Sequence, residues 1–259
     1  MPKPLGKFDA ESVLASWNRV ADAYAHGQAS GIDYYRYEFF GPAQLAVCGE
    51  VGGREILDVG CGNGYFARAL ARRGARVAGI DISPRMIEHA TRQEAAEPLG
   101  IEYRVLDAAL LPAGFAAQSF DMVTSCMALQ DMPGVENVFQ VCTPDCGPVV
   151  DSSPRSRTRA PIRPSACGRR TRAARSEVVH RSLLRARVVR YTWSEWGQDL
   201  TTEGFRAPLE DWFGWILDAG FQLRAFKEPR PTDTALRTRP DLEDAARVPY
   251  YVVFDLVRP

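Results

Sequence analysis

Asp58-Val59-Gly60-Cys61-Gly62-Asn63-Gly64 follows the apolar pair Ile56-Leu57 and precedes Tyr65-Phe66-Ala67. In order, these residues make a strand that stops at an acid, a turn with glycine at alternate positions, and the first turn of a helix. Glycine lets the backbone reverse sharply and come close to a ligand, because a Cβ there would collide with it. The N–H groups opening the helix lack intrahelical acceptors and suit an anionic or carboxylate-bearing group. The turn is therefore a cradle for a nucleotide-like molecule.

Outward from this turn, strands and helices alternate. Glu55–Gly60 reads as a strand, Tyr65–Arg73 as a helix ended by Gly74, and Ala75–Asp81 as the next strand. Ser83-Pro84 supplies an N-cap with proline at the first helical position and opens a helix to about Glu97. Ile101–Asp107 and Phe120–Leu129 read as the third and fourth strands. Such alternation implies βαβ units and a parallel sheet. Upstream, Val13, Leu14, Trp17, Val20, Ala21 and Tyr24 recur at helical spacing, and the cluster Tyr34, Tyr35, Tyr37, Phe39 and Phe40 is closed by Gly41-Pro42. Downstream, Leu209, Trp212, Phe213, Ile216 and Leu217 form a helical face, Gly220-Phe221 opens a strand, and Val248–Val257 is a last apolar strand. The chain divides into an N-terminal helical cap, 1–45, and a main domain, 46–259.

At 259 residues and 46% hydrophobic content, one substantial core is the expected size. Lys plus Arg and Asp plus Glu number 32 each, so no global field marks nucleic acid or an anionic membrane as partner. No stretch approaches the length of a membrane span and the start lacks a signal-peptide pattern, so a cytoplasmic location is expected. The six cysteines show no paired C-x-x-C spacing, which argues against a disulfide scaffold.

The string Gly62-x-Gly64-x-x-Ala67 also satisfies a dinucleotide fingerprint, so context must decide. Asp58 precedes the glycines, Asp81 ends the second strand and Asp107 ends the third. Taken singly, Asp81 or Asp107 reads equally as a strand-end turn residue. Together they place acids at the carboxyl ends of successive parallel strands, where open α/β sheets bind ligands. This constellation resembles the class I S-adenosylmethionine-dependent methyltransferases of small-molecule type, over roughly residues 10–140 and 191–259. The resemblance implies a Rossmann-like, mainly parallel seven-stranded sheet with flanking helices and an antiparallel last strand.

It also implies S-adenosylmethionine as cofactor and a small metabolite, methylated on O, N or C, as partner. By position, Gly60, Cys61, Gly62 and Gly64 pass the methionine portion, and Asp81 accepts hydrogen bonds from the ribose hydroxyls. Ile82 and Met86 pack the adenine, Asp107 and Ala108 meet its amine, and Met127 lies beneath the sulfonium. Asp58 shapes the glycine loop. Met86 and Met127 fit plain core equally well. Tyr34 or Tyr37 is placed to meet the cofactor carboxylate or the sulfonium.

His26, Asp131 and Glu195 are the candidate bases, although proximity and in-line alignment can carry much of a methyl transfer without one. Cys142, Cys146, Cys167 and His180 match no zinc spacing, so no metal is expected. Two other functions compete. An NAD-dependent oxidoreductase of the short-chain type needs Tyr-x-x-x-Lys, and lysine occurs only at Lys3, Lys7 and Lys227. A nucleic-acid module using the Arg-rich stretch 155–190 would lack stacking aromatics there.

That stretch is anomalous. Between Asp151 and Glu177 there is no acid, eight Arg and three Pro, without strand or helix periodicity. The resembled family carries Leu-Arg-Pro-Gly-Gly-Arg before its fifth strand, and the motif is missing. Synonymous codons for Cys146–Ser152, shifted to include the last base of Asp145, spell Leu-Arg-Pro-Gly-Gly-Arg-Leu. Residues of about 140–190 are thus expected to be a frame-shifted segment, leaving 151–190 irregular and the sheet without a genuine fifth strand.

Overall fold

The computed structural model describes residues 8–29, 35–111, 115, 120–141, 150–154, 187–195, 198–239 and 243–258. A seven-stranded sheet forms its centre, with spatial order β3-β2-β1-β4-β5-β9-β8. These strands are β1 (Glu55–Val59), β2 (Arg76–Asp81), β3 (Glu102–Val105), β4 (Met122–Thr124), β5 (Val150–Pro154), β8 (Gln222–Lys227) and β9 (Tyr251–Val257). Two more, β6 (Arg187–Glu195) and β7 (Gln198–Arg206), make a separate antiparallel hairpin. The pairs β1–β2, β2–β3, β1–β4 and β4–β5 are parallel, whereas β9 runs antiparallel to β5 and β8.

Alternation along the strands builds one core on each face of the sheet. Ile56, Val77, Met122 and Val253 point to one side with Phe66 and Leu70 of helix α3 (Tyr65–Ala71). Leu57, Val59, Ile80, Val123, Val252 and Phe254 point to the other, against Trp212 and Ile216 of a later helix, Leu209–Asp218. Because both faces are covered, β1 is buried from Ile56 to Val59, Asp58 included. Helix α4 (Pro84–Ala96) begins where Ser83-Pro84 predicts it, with Ser83 Oγ accepting the Met86 N–H at 3.1 Å. The buried Arg68 of α3 joins Glu94 and Glu97 at the end of α4 through 3.0 and 2.7 Å contacts.

Helix α1 (Ala10–Ala29) lies across the strand ends and packs Val20, Ala21 and Tyr24 against Met86 and Leu200 of β7. Asn18 Oδ1 accepts the Ser83 hydroxyl at 2.6 Å, and Asp22 pairs with Arg85, so α1 is tied to the head of α4. After α1, a wide helical turn, Tyr35–Phe39, leads into helix α2 (Phe40–Cys48).

One expectation is corrected. Val150–Pro154 does occupy the fifth-strand slot, pairing with β9 over five residues. Most of its ladder is supplied by β9. On the β4 side a single register pair, Thr124↔Val150, makes the seam. The sequence signal missed the strand because it lacks the apolar run of a central strand. The hairpin also begins at Arg187, inside the span expected to be irregular, while 155–186 lies outside the described residues. Among the described residues no helix is long and apolar enough to cross a membrane.

Candidate functional site

The strand order reverses between β1 and β4, and a crevice opens at the strand ends there, as doubly wound sheets require. The crevice is a cavity open to solvent, walled by the glycine turn, the ends of β1 and β2, the loop after β4 and helix α1. Its floor is the glycine turn, with Gly60, Gly62 and Gly64 at φ of 70°, 55° and 88°. A Cβ on Gly60 would meet the Ala128 Cβ at 2.4 Å, whereas one on Gly62 would meet nothing within 4 Å. Gly60 is thus required by packing and Gly62 leaves open space at the cavity wall.

Asp81 holds the turn from the neighbouring strand. Its Oδ2 accepts the Gly62 N–H at 2.9 Å and its Oδ1 the Ser83 N–H at 2.8 Å. Each oxygen retains a further lone pair, so the carboxylate can still accept from a ligand. Burial pushes its pKa up to about 6, with the Ser83 and Gly62 N–H groups opposing the rise. Asp107 Oδ1 accepts the Ala109 N–H at 2.9 Å and faces the cavity with Ala108.

Asp58 stands beneath the turn rather than in the lining. Its Oδ1 accepts the Thr124 hydroxyl at 3.0 Å, and its Oδ2 is buried with no hydrogen-bond partner. Burial raises its pKa to about 7, against the pull of Thr124 and the Ala67 N–H. Tyr103 reaches over Gly79, whose missing side chain makes the room, and brings its hydroxyl against Gly64.

The structure gathers Gly60, Cys61, Gly62, Asp81, Ile82, Met86, Asp107, Ala108, Met127 and Asp131 around the cavity. Gly64 and Asp58 lie off the lining, and Tyr37 is 49% exposed with its ring against Tyr65. His26 points outward from α1. Glu195 is the last residue of β6. Tyr34, Cys142, Cys146, Cys167 and His180 lie outside the described residues.

Sequence reasoning missed the N-terminal wall: Val13, Trp17, Tyr24, Gln28 and Arg36, with Asn63 and Tyr65 facing them. The Arg36 guanidinium is buried beside the Tyr24 hydroxyl and lies 5.1 Å from the Tyr24 ring and 5.5 Å from the Tyr65 ring. The Tyr65 hydroxyl donates to the Arg36 carbonyl at 3.1 Å. With the Gln28 amide turned to satisfy both neighbours, its oxygen faces Arg36 Nη2 at 3.2 Å and its nitrogen faces Asn63 Oδ1 at 2.5 Å. The available signal was a lone cation inside Tyr34-Tyr35-Arg36-Tyr37, overlooked for its aromatic neighbours.

A glycine turn after β1, Asp81 at the end of β2, Asp107 two residues past β3 and a cavity at the switch point come together on a Rossmann-like fold. Residues 56–145 match the family model described as a methyltransferase domain. A ubiquinone biosynthesis O-methyltransferase of Coxiella burnetii is 36% identical over 90 residues, 35% of this chain and 38% of that protein. The chain thus aligns with well under half the length of that curated relative. A crystal structure of an S-adenosylmethionine-dependent methyltransferase from Mesorhizobium loti is 28% identical, with a TM-score of 0.62 over 85% of this chain and 97% of that one. The DhpI-SAM-HEP complex has a TM-score of 0.61 at 18% identity, a likeness of fold. Residues 56–145 are thus similar to a methyltransferase domain, and the fold is shared with solved S-adenosylmethionine-dependent methyltransferases.

Proposed function

We propose that the protein transfers a methyl group from S-adenosylmethionine to a small metabolite. The observation that carries the reading is one cavity that joins the glycine turn to Asp81 and Asp107 at the ends of adjacent strands. Oxygen is the favoured acceptor atom among O, N and C, because the similar curated proteins are named O-methyltransferases over the stretch they share with this chain.

The residues present fit the cofactor. Asp81 is acceptor-only and suits a pair of ribose hydroxyls. Ile82, Met86 and Leu106 offer an apolar slot for a purine, with Asp107 and the Ala108 backbone at its polar edge. Gly62 leaves the open wall that a close-lying chain needs. Arg36, held by Tyr24 and Gln28, is the cation among the described residues of the lining and suits a carboxylate. Bound there, S-adenosylmethionine supplies an electrophilic methyl group on a cationic sulfur. The chain's own contribution is alignment and exclusion of water, which α1 and the β6–β7 hairpin provide by covering the strand ends.

The test is calorimetry with S-adenosylhomocysteine, the demethylated product, and with NAD. We expect the first to bind and the second not. Asp81→Ala removes two charge-assisted hydrogen bonds, each worth roughly 1.5–3 kcal/mol, and should weaken binding at least tenfold. Unchanged affinity in a folded Asp81→Ala variant would remove Asp81 from the site, and NAD binding would overturn the reading.

A further inference from the structure

Asparagine is a poor residue for the middle of a helix, because its short amide competes for the backbone. Asn18 nevertheless stands at the centre of α1, one position after Trp17, which lines the crevice with Val13, Tyr24 and Gln28 of the same helix. Its work lies at the head of α4. That helix opens with proline, which has no N–H, so Arg85 and Met86 carry its first unpaired donors. Ser83 Oγ accepts the Met86 N–H at 3.1 Å, the N-cap bond. Asn18 Oδ1 accepts the Ser83 hydroxyl at 2.6 Å and faces the Arg85 N–H at 3.4 Å. Helix α1 thus completes the cap of α4 from outside that helix.

The backbone of this serine faces the crevice. Its N–H donates to Asp81 Oδ1 at 2.8 Å, while the Gly62 N–H holds Oδ2 at 2.9 Å. A path of two hydrogen bonds therefore runs from Asn18 through Ser83 to the carboxylate read above as the ribose acceptor. Ser83 is fully buried, so its hydroxyl has no bulk water to turn to when the asparagine is cut back. A buried donor left unmet costs more than the same bond contributes when made. The other tie between the two helices is weaker in kind. Asp22, one turn further along α1, meets Arg85 and His89 at 2.7 Å, but its side chain is 62% exposed and an exposed ion pair holds little.

We propose that Asn18 is a positioning residue for Asp81, and that through Ser83 the seating of α1 over the crevice is coupled to the binding of a nucleoside at Asp81. The inference rests on the methyltransferase reading and adds regulation to that site. With α1 seated, Ser83 is held by Asn18 as well as by its own helix, its N–H stays aimed at Oδ1, and the carboxylate keeps the orientation in which it lines the crevice. With α1 lifted, Ser83 loses that hold and ligand binds less tightly. Linkage makes the effect mutual, so a ligand on Asp81 favours the seated helix by the same factor.

A double-mutant cycle read by calorimetry with S-adenosylhomocysteine tests this. Asn18→Ala should weaken binding fivefold or more in the otherwise unaltered protein and less than twofold in Asp81→Ala, because a contact that acts through Asp81 then has nothing to act on. Alanine raises the helix propensity of α1, so the loss does not come from a weaker helix. Asn18→Asp keeps an acceptor at the same place and should bring affinity back to within threefold, and Asp22→Ala should stay within twofold. Hydrogen exchange over residues 10–29 should slow when S-adenosylhomocysteine is added to the unaltered protein. Equal losses from Asn18→Ala in the two backgrounds, full affinity in Asn18→Ala, no rescue by Asn18→Asp, an equal loss in Asp22→Ala, or exchange in α1 indifferent to ligand would each overturn the proposal while the methyltransferase reading stands. Should Asn18→Ala fail to fold, Asn18→Gln, whose oxygen lies one methylene further out, takes its place in the cycle. No binding of S-adenosylhomocysteine by the unaltered protein would overturn both.

Discussion

Two alanine substitutions in the glycine turn separate what the fold needs from what the ligand needs. Both Gly60 and Gly62 have positive φ, so either replacement carries the left-handed cost of about 1–2 kcal/mol. At Gly62 the cost stops there, because the added Cβ meets no atom within 4 Å. At Gly60 the Cβ would sit 2.4 Å from the Ala128 Cβ and 2.8 Å from the Met132 Cε. The methionine can swing aside, but Ala128 has no freedom without backbone movement, which adds about 1–3 kcal/mol of overpacking. At about 2–4 °C per kcal/mol for a chain of this size, Gly62→Ala should lower the melting temperature by a few degrees and Gly60→Ala by roughly twice as much. Binding should run the other way relative to stability. Gly62→Ala, although well folded, fills the open cavity wall and should weaken S-adenosylhomocysteine at least tenfold. Differential scanning fluorimetry with calorimetry on the two variants reads both quantities. Equal melting temperatures for the pair, or full affinity in Gly62→Ala, would refute the reasoning from Cβ space.

Stability of the ligand-free protein should fall as pH rises from about 4 to about 7. Asp58 and Asp81 have folded pKa values raised to about 7 and about 6, so the folded state holds more protons than the unfolded chain in that window. Asp58→Asn should flatten the decline, most of all between pH 6 and 7, in urea melts run across the range. Below pH 4 the sign reverses, because the Arg85 and His89 contacts hold Asp22 down at about 2 and arginine partners lower Glu97 and Glu102. Hydrogen exchange across residues 26–40 should slow when S-adenosylhomocysteine is added, since Gln28 and Arg36 line the cavity; equal exchange with and without it counts against a cover in that segment. Resequencing the gene should place Cys146–Ser152 in the frame that encodes Leu-Arg-Pro-Gly-Gly-Arg-Leu, and an uninterrupted frame giving the present residues would refute the frame shift.

Sequence alone determined the part of this protein governed by local rules. The glycine turn, the acids at the ends of β2 and β3, and the Ser83-Pro84 start of α4 are fixed by backbone geometry within a few residues, so each was legible with the parallel sheet they imply. Tertiary structure decided what depends on neighbours distant in the chain. Val150–Pro154 is a strand because β9 offers it a ladder, although nothing in its own composition asks for one. Arg36 joins the cavity because Tyr24, twelve residues earlier, and Tyr65, twenty-nine later, close around it. Asp131 and His26, two of the three candidate bases in the sequence, are told apart by packing, since Asp131 lines the cavity under the Gln130 amide and His26 is exposed on α1. A side chain's neighbours are set by packing between elements, and that packing leaves no periodic trace in the residues themselves.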